Sequence, residues 1–339
     1  MRFKILIAAA IVYPGICPAI AADDFPDPAR ESGVAQPESP PGEIPASIAR
    51  PSALTNLDRG GEWRSLLDEK LSDWEIWMGV PHVSVAGLPE GTPRSTNGRT
   101  GTPMGLGKDL KHVFSVHIES GEPVLDITGE IWGALTTRES FSDYHLRIDV
   151  KWGERKWEPR LLLPRNSGVL YHCTGPHGAF WNTWKRCLEF EVQEKDMGDL
   201  YPLGGARADV VLIKPPSKIW TYDPAKGALT TVGAGVKEKG GNRAAHLPGD
   251  FERPNGEWNT LELYTLGHTA VHIVNGHVVN VIHNIAVIDG AQGVESPLEG
   301  GQLQLQSESA EVYFRRIQIR PITEFPAAIQ RLVGSTSQP

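Results

Sequence analysis

Two carboxylates and a carboxamide stand at every second position of one short segment. Glu189, Glu191 and Gln193 alternate with apolar residues between Leu188 and the end of the segment. In a β-strand, residues two apart share a face, so the three polar side chains would lie together. Carboxylates crowded in a cleft raise one another's pKa, which makes one of them a usable proton-transfer group near neutral pH. The alternative is a solvated outer face, and this segment alone does not decide between the two.

A histidine lies shortly before this acidic segment. The run Arg165–Gly168 predicts a turn that leads into a strand over Val169–His172. In that strand Tyr171 and His172 would face opposite sides. A single histidine is most often structural, whereas one that pairs with carboxylates can transfer protons. His172 is therefore a candidate for either role.

Aromatic and polar residues are concentrated between residues 152 and 199. The rings in this region include Trp181 and Trp184, and the polar residues include Lys185 and Asp196. Such a surface suits sugars, because their C–H faces stack on rings while their hydroxyls need hydrogen-bond donors and acceptors. The alternative is that each tryptophan fills the core between two sheets. The cluster as a whole predicts a sugar-binding site.

The segments that would position these residues have the period-two pattern of β-strands. Apolar and polar residues alternate strictly over Tyr144–Val150, and Val271–Val279 predicts two strands around an Asn-Gly hairpin turn. Two further strands are predicted over Gln302–Gln306 and Val312–Ile319. The chain has 36 glycines and 27 prolines, which suits many turns and few helices. Many short antiparallel strands predict an all-β sandwich or jelly roll.

The two ends of the chain differ from this strand-rich region. Residues 1–22 have a basic start, a short apolar run and an Ala-rich end, which predicts a signal peptide and hence a secreted or periplasmic protein. Residues 23–60 are rich in Pro, Glu, Ser and Ala and predict an extended linker. We expect the domain over residues 61–322 and a tail over 323–339 that holds one short helix, Pro326–Leu332.

Charge and cysteine content restrict the classes of partner. The formal net charge is −8 and the chain has no basic run, so nucleic acid and anionic membrane surfaces are poor partners. No stretch after the N-terminal segment is long and apolar enough to span a membrane. Signal cleavage would leave Cys173 and Cys187. Secretion permits either a disulfide between them or two buried free thiols.

Several short motifs occur in an order that resembles the 3-keto-disaccharide hydrolase family. They are Asn166–Val169, Phe190–Gln193 with Asp196, Gly256–Asn259, Val274–Gly276 and Phe314–Ile319. The resemblance covers about residues 60–322. The chain departs from the family pattern at His172, where many members carry Arg, and at Arg316, where the last strand often has Asn.

This resemblance implies a concanavalin A-like jelly roll of two antiparallel sheets, with a sugar or glycoside substrate on its concave face. It also implies an enzyme that cleaves 3-keto-glycosides by elimination and hydration, a net hydrolysis. A ketone at C3 acidifies the proton on C2, so a carboxylate can remove that proton and the group on C1 then leaves. The reaction needs a base, a group that stabilises the enolate, and an acid for the leaving oxygen.

The candidate residues can be given roles in this reaction. We expect Glu191 to be the base, Glu189 to be a second catalytic carboxylate, and His172 to be an acid or a metal ligand. Arg165 or a divalent cation would stabilise the enolate, and the sequence has no signature of another cofactor. The side chains expected to bind substrate are Asn166, Arg165, Gln193, Lys185, Trp181, Trp184 and Asp196.

Two other functions stay open. The segment Glu189–Glu194 also resembles the catalytic strand of retaining glucanases of the same fold, in which Glu189 would be the nucleophile and Glu194 the acid/base. A non-catalytic carbohydrate-binding module is the third alternative, because a fold alone does not establish catalysis. The sequence has no phosphate-binding loop or dinucleotide-binding glycine pattern, so a separate sugar-oxidising enzyme is implied as the source of the ketone.

Overall fold

A computed structural model describes residues 61–214, 219–236, 244–289 and 293–335. The expected signal peptide and linker lie outside the described residues. In chain order the strands are β1 (Arg64–Ser65), β2 (Trp74–Met78), β3 (Gly105–Leu106), β4 (Phe114–Glu119), β5 (Glu122–Ile127), β6 (Gly133–Thr137), β7 (Phe141–Ser142), β8 (Tyr144–Lys156), β9 (Asn166–Thr174), β10 (Arg186–Gln193), β11 (Leu200–Leu203), β12 (Ala206–Ile213), β13 (Thr221–Tyr222), β14 (Ala228–Gly233), β15 (Asn259–Leu266), β16 (Thr269–Val274), β17 (His277–Asp289), β18 (Val294–Pro297), β19 (Gly300–Ser307) and β20 (Ala310–Pro321). They are followed by a short helix, α1 (Ala327–Ser335).

The described strands form two sheets. The larger sheet follows the path β13-β12-β17-β16-β15-β8-β20-β5-β4, with β1, β14 and β18 paired to it. The smaller sheet follows the path β11-β10-β9-β19-β6-β2-β3, with β7 paired to β19. The ladders that build both sheets are antiparallel. This architecture confirms the predicted all-β jelly-roll sandwich of two antiparallel sheets.

The main hydrophobic core lies between the two sheets. Leu146 and Ile148 of β8 meet Val169 of β9 and Phe190 of β10 there. Burial of such side chains stabilises the fold by roughly 25 cal/mol per Å² of apolar surface removed from water. The alternation over Tyr144–Val150 therefore directs its apolar residues into this core, as the sequence predicts.

The predicted Asn-Gly hairpin joins β16 to β17. Asn275 and Gly276 have φ angles of 49° and 81°. A two-residue turn with positive φ at both positions matches the right-handed twist of the flanking strands, and Asn and Gly tolerate that conformation best. The predicted strands over 302–306 and 312–319 lie within β19 and β20.

The structure also bears on the predicted C-terminal helix and on the state of the two cysteines. The predicted C-terminal helix is α1, which begins at Ala327 and ends at Ser335. No helix in the described ranges has the length and apolar character needed to cross a membrane. Cys173 and Cys187 are buried free thiols on the neighbouring strands β9 and β10. Burial, followed by the Cys173 thiol, raises the pKa of Cys187 well above its ordinary value, which disfavours a reactive thiolate.

Candidate functional site

The acidic segment forms β10, which lies between β11 and β9 in the smaller sheet. Its apolar residues, such as Phe190, join the core between the sheets. Glu189, Glu191 and Gln193 lie on the opposite face, as the alternation predicts, and only 4–6% of each residue is exposed. These carboxylates are therefore buried, and the solvated outer face that the sequence left open is not what forms.

Two charged residues that sequence reasoning missed lie beside these carboxylates. Arg160 is 3% exposed and donates from Nη2 to Gln193 Oε1 at 2.6 Å. Its Nη1 lies 3.5 Å from Oε1 of Glu308, a buried residue just beyond the end of β19. We call Glu189, Glu191, Glu308 and Arg160 the carboxylate cluster. It brings three buried carboxyl groups together with one buried guanidinium.

Only one of these two residues had a detectable sequence signal. Glu308 continues a period-two series of polar side chains on β19, Gln302, Gln304 and Gln306. This is the same signal that identified Glu189. Arg160 lies in the connection between β8 and β9, where no period applies, so only the folded chain places it.

The environment shifts both catalytic candidates toward their protonated forms. Burial raises the pKa of Glu189 well above its ordinary value, and Glu308 adds to the shift. Burial likewise raises the pKa of Glu191, with Glu189 and then Glu308 as further causes. Arg160 opposes the shift at both residues. Because crowded carboxyl groups cannot all ionise, the pair can hold one proton and offer one base.

Gln193 links the cluster to neighbouring amide and carboxyl groups. Its Oε1 also accepts a hydrogen bond from Asn166 Nδ2 at 3.2 Å, and its Nε2 donates to Asp196 Oδ2 at 2.7 Å. Asp196 is partly exposed, and burial, followed by Asp199, raises its pKa. The site thus extends from the buried Glu191 to the partly exposed Asp196.

Three acceptor atoms on this face accept no hydrogen bond from the residues that the structure describes. They are Asn166 Oδ1, Glu191 Oε1 and Gln306 Oε1, each buried and without a hydrogen bond from the described residues. A buried acceptor without a partner costs roughly 1–3 kcal/mol, so native proteins usually satisfy it with water or a ligand. Their grouping on one face marks where a hydroxyl-bearing ligand would find acceptors.

The two predicted tryptophans lie in a second apolar cluster of the structure. Trp181 and Trp184 are 7% and 1% exposed and pack with Trp132 and Phe180. The guanidinium of Arg99 covers Trp181 at 4.5 Å from the ring centroid. Buried rings of this kind do not present free faces for sugar stacking. They also lie outside the main core between the sheets, in a cluster with Leu170 and Cys187, so neither alternative describes them fully.

The structure does not bring His172 to the carboxylates. It has a φ of 53° at an irregularity of β9, and its ring neighbours are Tyr171 and Tyr144. Neither ring nitrogen makes a hydrogen bond with the described residues. Burial lowers the pKa of His172 to about 4, so its imidazole is neutral at neutral pH.

Arg165 and Glu194 pair with each other away from the cluster. Arg165 Nη1 lies 2.6 Å from Glu194 Oε1, and the backbone N–H of Arg165 donates to Glu194 Oε2 at 2.7 Å. Burial alone would raise the pKa of Glu194, but hydrogen bonds from Arg165 and Asn255 lower it below its ordinary value. Glu194 also follows the end of β10, so it is poorly placed and poorly tuned as the acid/base of a glucanase.

Lys185 lies on the same face of the smaller sheet but at a distance from the cluster. Its Nζ donates to Gly175 O at 3.1 Å and to Gln302 Oε1 at 2.6 Å. The backbone N–H of Lys185 donates to Gln304 Oε1 at 3.0 Å. Lys185 borders a separate groove, which lies where β9 ends and β19 begins.

A divalent cation does not fit the side chains of this site. In the part of the chain that the structure describes, no group of three or more His, Cys, Asp and Glu side chains could hold a metal ion. The carboxylate cluster instead has the Arg160 guanidinium as its cation.

Comparison with solved structures gives distant likenesses. A candidate glycosyl hydrolase from Parabacteroides distasonis has 15% identity and a TM-score of 0.39, over 77% of this chain and 94% of that chain. A protein with a galectin-like fold from Bacillus subtilis has 10% identity and a TM-score of 0.39, over 77% and 97%. LamAcat from Zobellia galactanivorans has 8% identity and a TM-score of 0.37, over 78% and 97%. At these TM-scores the likenesses have no bearing on function.

Sequence comparison is more informative. No curated protein sequence matches the chain. The family model described as the 3-keto-alpha-glucoside-1,2-lyase-like domain matches residues 62–320. This match covers most of the chain, includes every strand that contributes to the carboxylate cluster, and indicates a carbohydrate-active protein. The chain belongs to the 3-keto-alpha-glucoside-1,2-lyase-like domain family.

Proposed function

We propose that this protein is an enzyme that cleaves 3-keto-glycosides by elimination followed by hydration. The observation that carries the proposal is the carboxylate cluster on the face of β10 opposite the main core. There, Glu189 and Glu191 are buried side by side with one guanidinium, that of Arg160. Family membership supports the choice of a 3-keto sugar as substrate.

The first step is removal of the proton on C2 of the sugar by Glu191. The C–H electrons form the enolate of the C3 ketone, and the enolate then expels the group on C1, which breaks the C1–O bond. Oε1 of Glu191 has no hydrogen-bond partner in the described residues, so it is available to a substrate proton. A raised pKa makes a carboxylate a stronger base near neutral pH.

The leaving oxygen needs a proton, and we assign this role to Glu189. Burial keeps the carboxyl group of Glu189 protonated to a higher pH than usual, which is the condition for a general acid. Water then adds to C1 of the enone: its hydroxyl bonds to C1, its other proton goes to Glu189, and Glu191 gives the proton that it took back to C2. The net reaction is hydrolysis of the glycoside, and the carboxyl pair returns to its starting state.

Arg160 replaces Arg165 as the group proposed to stabilise the enolate. Its guanidinium is buried against Gln193 and Glu308, whereas Arg165 is paired with Glu194. A preorganised cation in a water-poor site stabilises developing negative charge more strongly than one in water. Asn166, whose Oδ1 has no described partner, would accept a hydrogen bond from a sugar hydroxyl.

Two contextual proposals accompany this reaction. A 3-keto sugar arises by oxidation of a secondary alcohol, so a separate sugar-oxidising enzyme would supply the substrate. The signal-peptide pattern of residues 1–22 supports a secreted or periplasmic location.

The decisive experiment compares a nitrophenyl 3-keto-glucoside with its unoxidised parent, each with and without EDTA. We expect nitrophenol release from the keto form alone, unaffected by EDTA. Release from the parent sugar would favour the glucanase alternative. Saturable binding without release from either sugar would favour a binding module. Both of the latter outcomes reject the proposal, and loss of activity in EDTA would reject Arg160 as the only enolate-stabilising cation.

A further inference from the structure

A second feature of the smaller sheet is a groove at the end of β9 and β19. It has a volume of about 510 Å³ and is lined by small and polar residues, including Ser142, Thr174, Gln302 and Lys185. A groove of this size is within the range of small-molecule sites. Among the residues that the structure describes, no aspartate or glutamate lines the groove.

Lys185 gives this groove an uncompensated positive charge. The residue is 8% exposed, and the two acceptors of its ammonium, Gly175 O and Gln302 Oε1, are both neutral. No carboxylate of the described residues forms an ion pair with it. An ammonium that has only neutral acceptors and borders an open groove can bind an anion there.

The acidic residues that flank the lining in sequence have other partners. Glu139 lies 2.8 Å from the guanidinium of Arg64. Glu299 lies 3.8 Å from the ring of His268. Asp143, which follows Ser142, accepts a hydrogen bond from the backbone N–H of Gly267 at 2.7 Å. Among the described residues, none of these three carboxylates forms an ion pair with Lys185.

The groove and the carboxylate cluster lie on the same face of one strand. Gln302 borders the groove, and Gln306, four residues further along β19, hydrogen-bonds to Glu189. At a rise of about 3.3 Å per residue the two positions are roughly 13 Å apart. That separation exceeds a single sugar ring, so the groove would take a part of the substrate remote from the reacting sugar.

We propose that the groove is a subsite for an oxyanion-bearing sugar, with Lys185 as the residue that selects the negative charge. The ammonium would bind a carboxylate or sulfate, while Ser142 and Thr174 offer hydroxyls to the same sugar. The inference rests on the proposed function only in assigning groove and cluster to one substrate. Binding at the groove itself needs no ketone and no cleavage.

The test is direct binding of non-ketonic sugars by calorimetry. The ligands are methyl glucuronide, glucose 6-sulfate and methyl glucoside. We expect at least one of the anionic sugars to bind about tenfold more tightly than the neutral one, the effect of one charged hydrogen bond. The stronger of the two anionic ligands identifies the source of the oxyanion.

Two variants assign this preference to Lys185. Lys185→Met keeps the aliphatic stem and removes the charge, while Gln302→Glu keeps the lysine and supplies a counter-charge. Both should abolish the preference for anionic sugars. Equal binding of neutral and anionic sugars by the unaltered protein would overturn the subsite, as would a preference that survives Gln302→Glu in a folded protein. Cleavage of 3-keto-glucosides is measured separately, so each hypothesis can fail alone.

Discussion

The carboxylate of Glu189 occupies space that a side chain at position 168 would otherwise fill. A Cβ built on Gly168 would lie 2.4 Å from Glu189 Oε1 and 2.8 Å from Gln306 Oε1. Gly168 belongs to β9 and pairs in register with Glu191 of β10. The Asn-Ser-Gly motif therefore ends in glycine because the neighbouring strand places a carboxylate over it.

Substitution of this glycine tests whether the position of Glu189 matters. Gly168→Ala should lower kcat by at least about tenfold, since misplacement of a catalytic group by 1 Å can cost about 100-fold. The φ angle of Gly168 is not in the left-handed region, so the backbone accepts alanine. The matched control is Gly249→Ala, because a Cβ there would meet only Phe251 Cζ, at 3.9 Å, and the φ angle is not in the left-handed region. This variant should keep its kcat. An unchanged kcat for Gly168→Ala would show that Glu189 is not held in a catalytic position.

Substitution of Glu191 tests the base. Glu191→Gln keeps the shape and removes the proton acceptor, so we expect kcat on a 3-keto-glucoside to fall by at least about 100-fold. Glu194→Gln is the matched control, because Glu194 lies in the turn that follows β10 and is paired with Arg165. It should retain most of the activity per folded molecule. The opposite pattern, with Glu194 essential and Glu191 dispensable, would assign the chemistry to the glucanase alternative.

The substitution Glu191→Gln should also stabilise the protein at neutral pH. Because the pKa of Glu191 is raised in the folded state, the unfolded chain binds fewer protons between about pH 4.5 and that raised pKa, and stability falls as pH rises through this window. Glu191→Gln removes this loss. Its Tm should exceed that of the unaltered protein at pH 7 by at least about 2 °C, and the difference should vanish near pH 4. A lower Tm at pH 7 would contradict the raised pKa.

The period-two alternation of the sequence predicts much of this site, but it does not predict the residues that come from a loop or a bulge. Alternation placed Glu189, Glu191 and Gln193 on one face, because a strand has a fixed period. It did not place Arg160, which reaches the cluster from a connection, or His172, whose left-handed backbone interrupts the alternation of β9. Local patterns thus predict strands and their faces, whereas loops and bulges depend on the folded chain.

Arg160 should act through the charge of the cluster. Arg160→Gln should lower kcat/KM by at least about 100-fold, the usual cost of removing a preorganised electrostatic group. Without the guanidinium, the pKa values of Glu189 and Glu191 rise further, so the acidic limb of the pH profile should move to higher pH. Arg160→Lys should restore part of both effects. A loss of activity with an unmoved pH limb would indicate only a structural role.

His172 should affect stability in acid and leave catalysis nearly unchanged. Burial lowers its pKa to about 4 in the folded state. The unfolded chain therefore binds the extra proton between about pH 6.5 and 4, and stability falls as pH falls through this window. His172→Asn suits the left-handed φ of 53° and removes the imidazole, so the variant should lose less stability over the same pH range.

Activity of this variant separates a structural histidine from a catalytic one. His172 contacts Tyr144 and Tyr171, and no carboxylate of the cluster contributes to its pKa shift. We therefore expect kcat of His172→Asn to stay within about threefold of the unaltered enzyme, far from the loss of about 100-fold or more that follows removal of a general acid. A loss of that size in a folded variant would return His172 to the reaction. It would also require the imidazole to reach the substrate through a change in the backbone of β9.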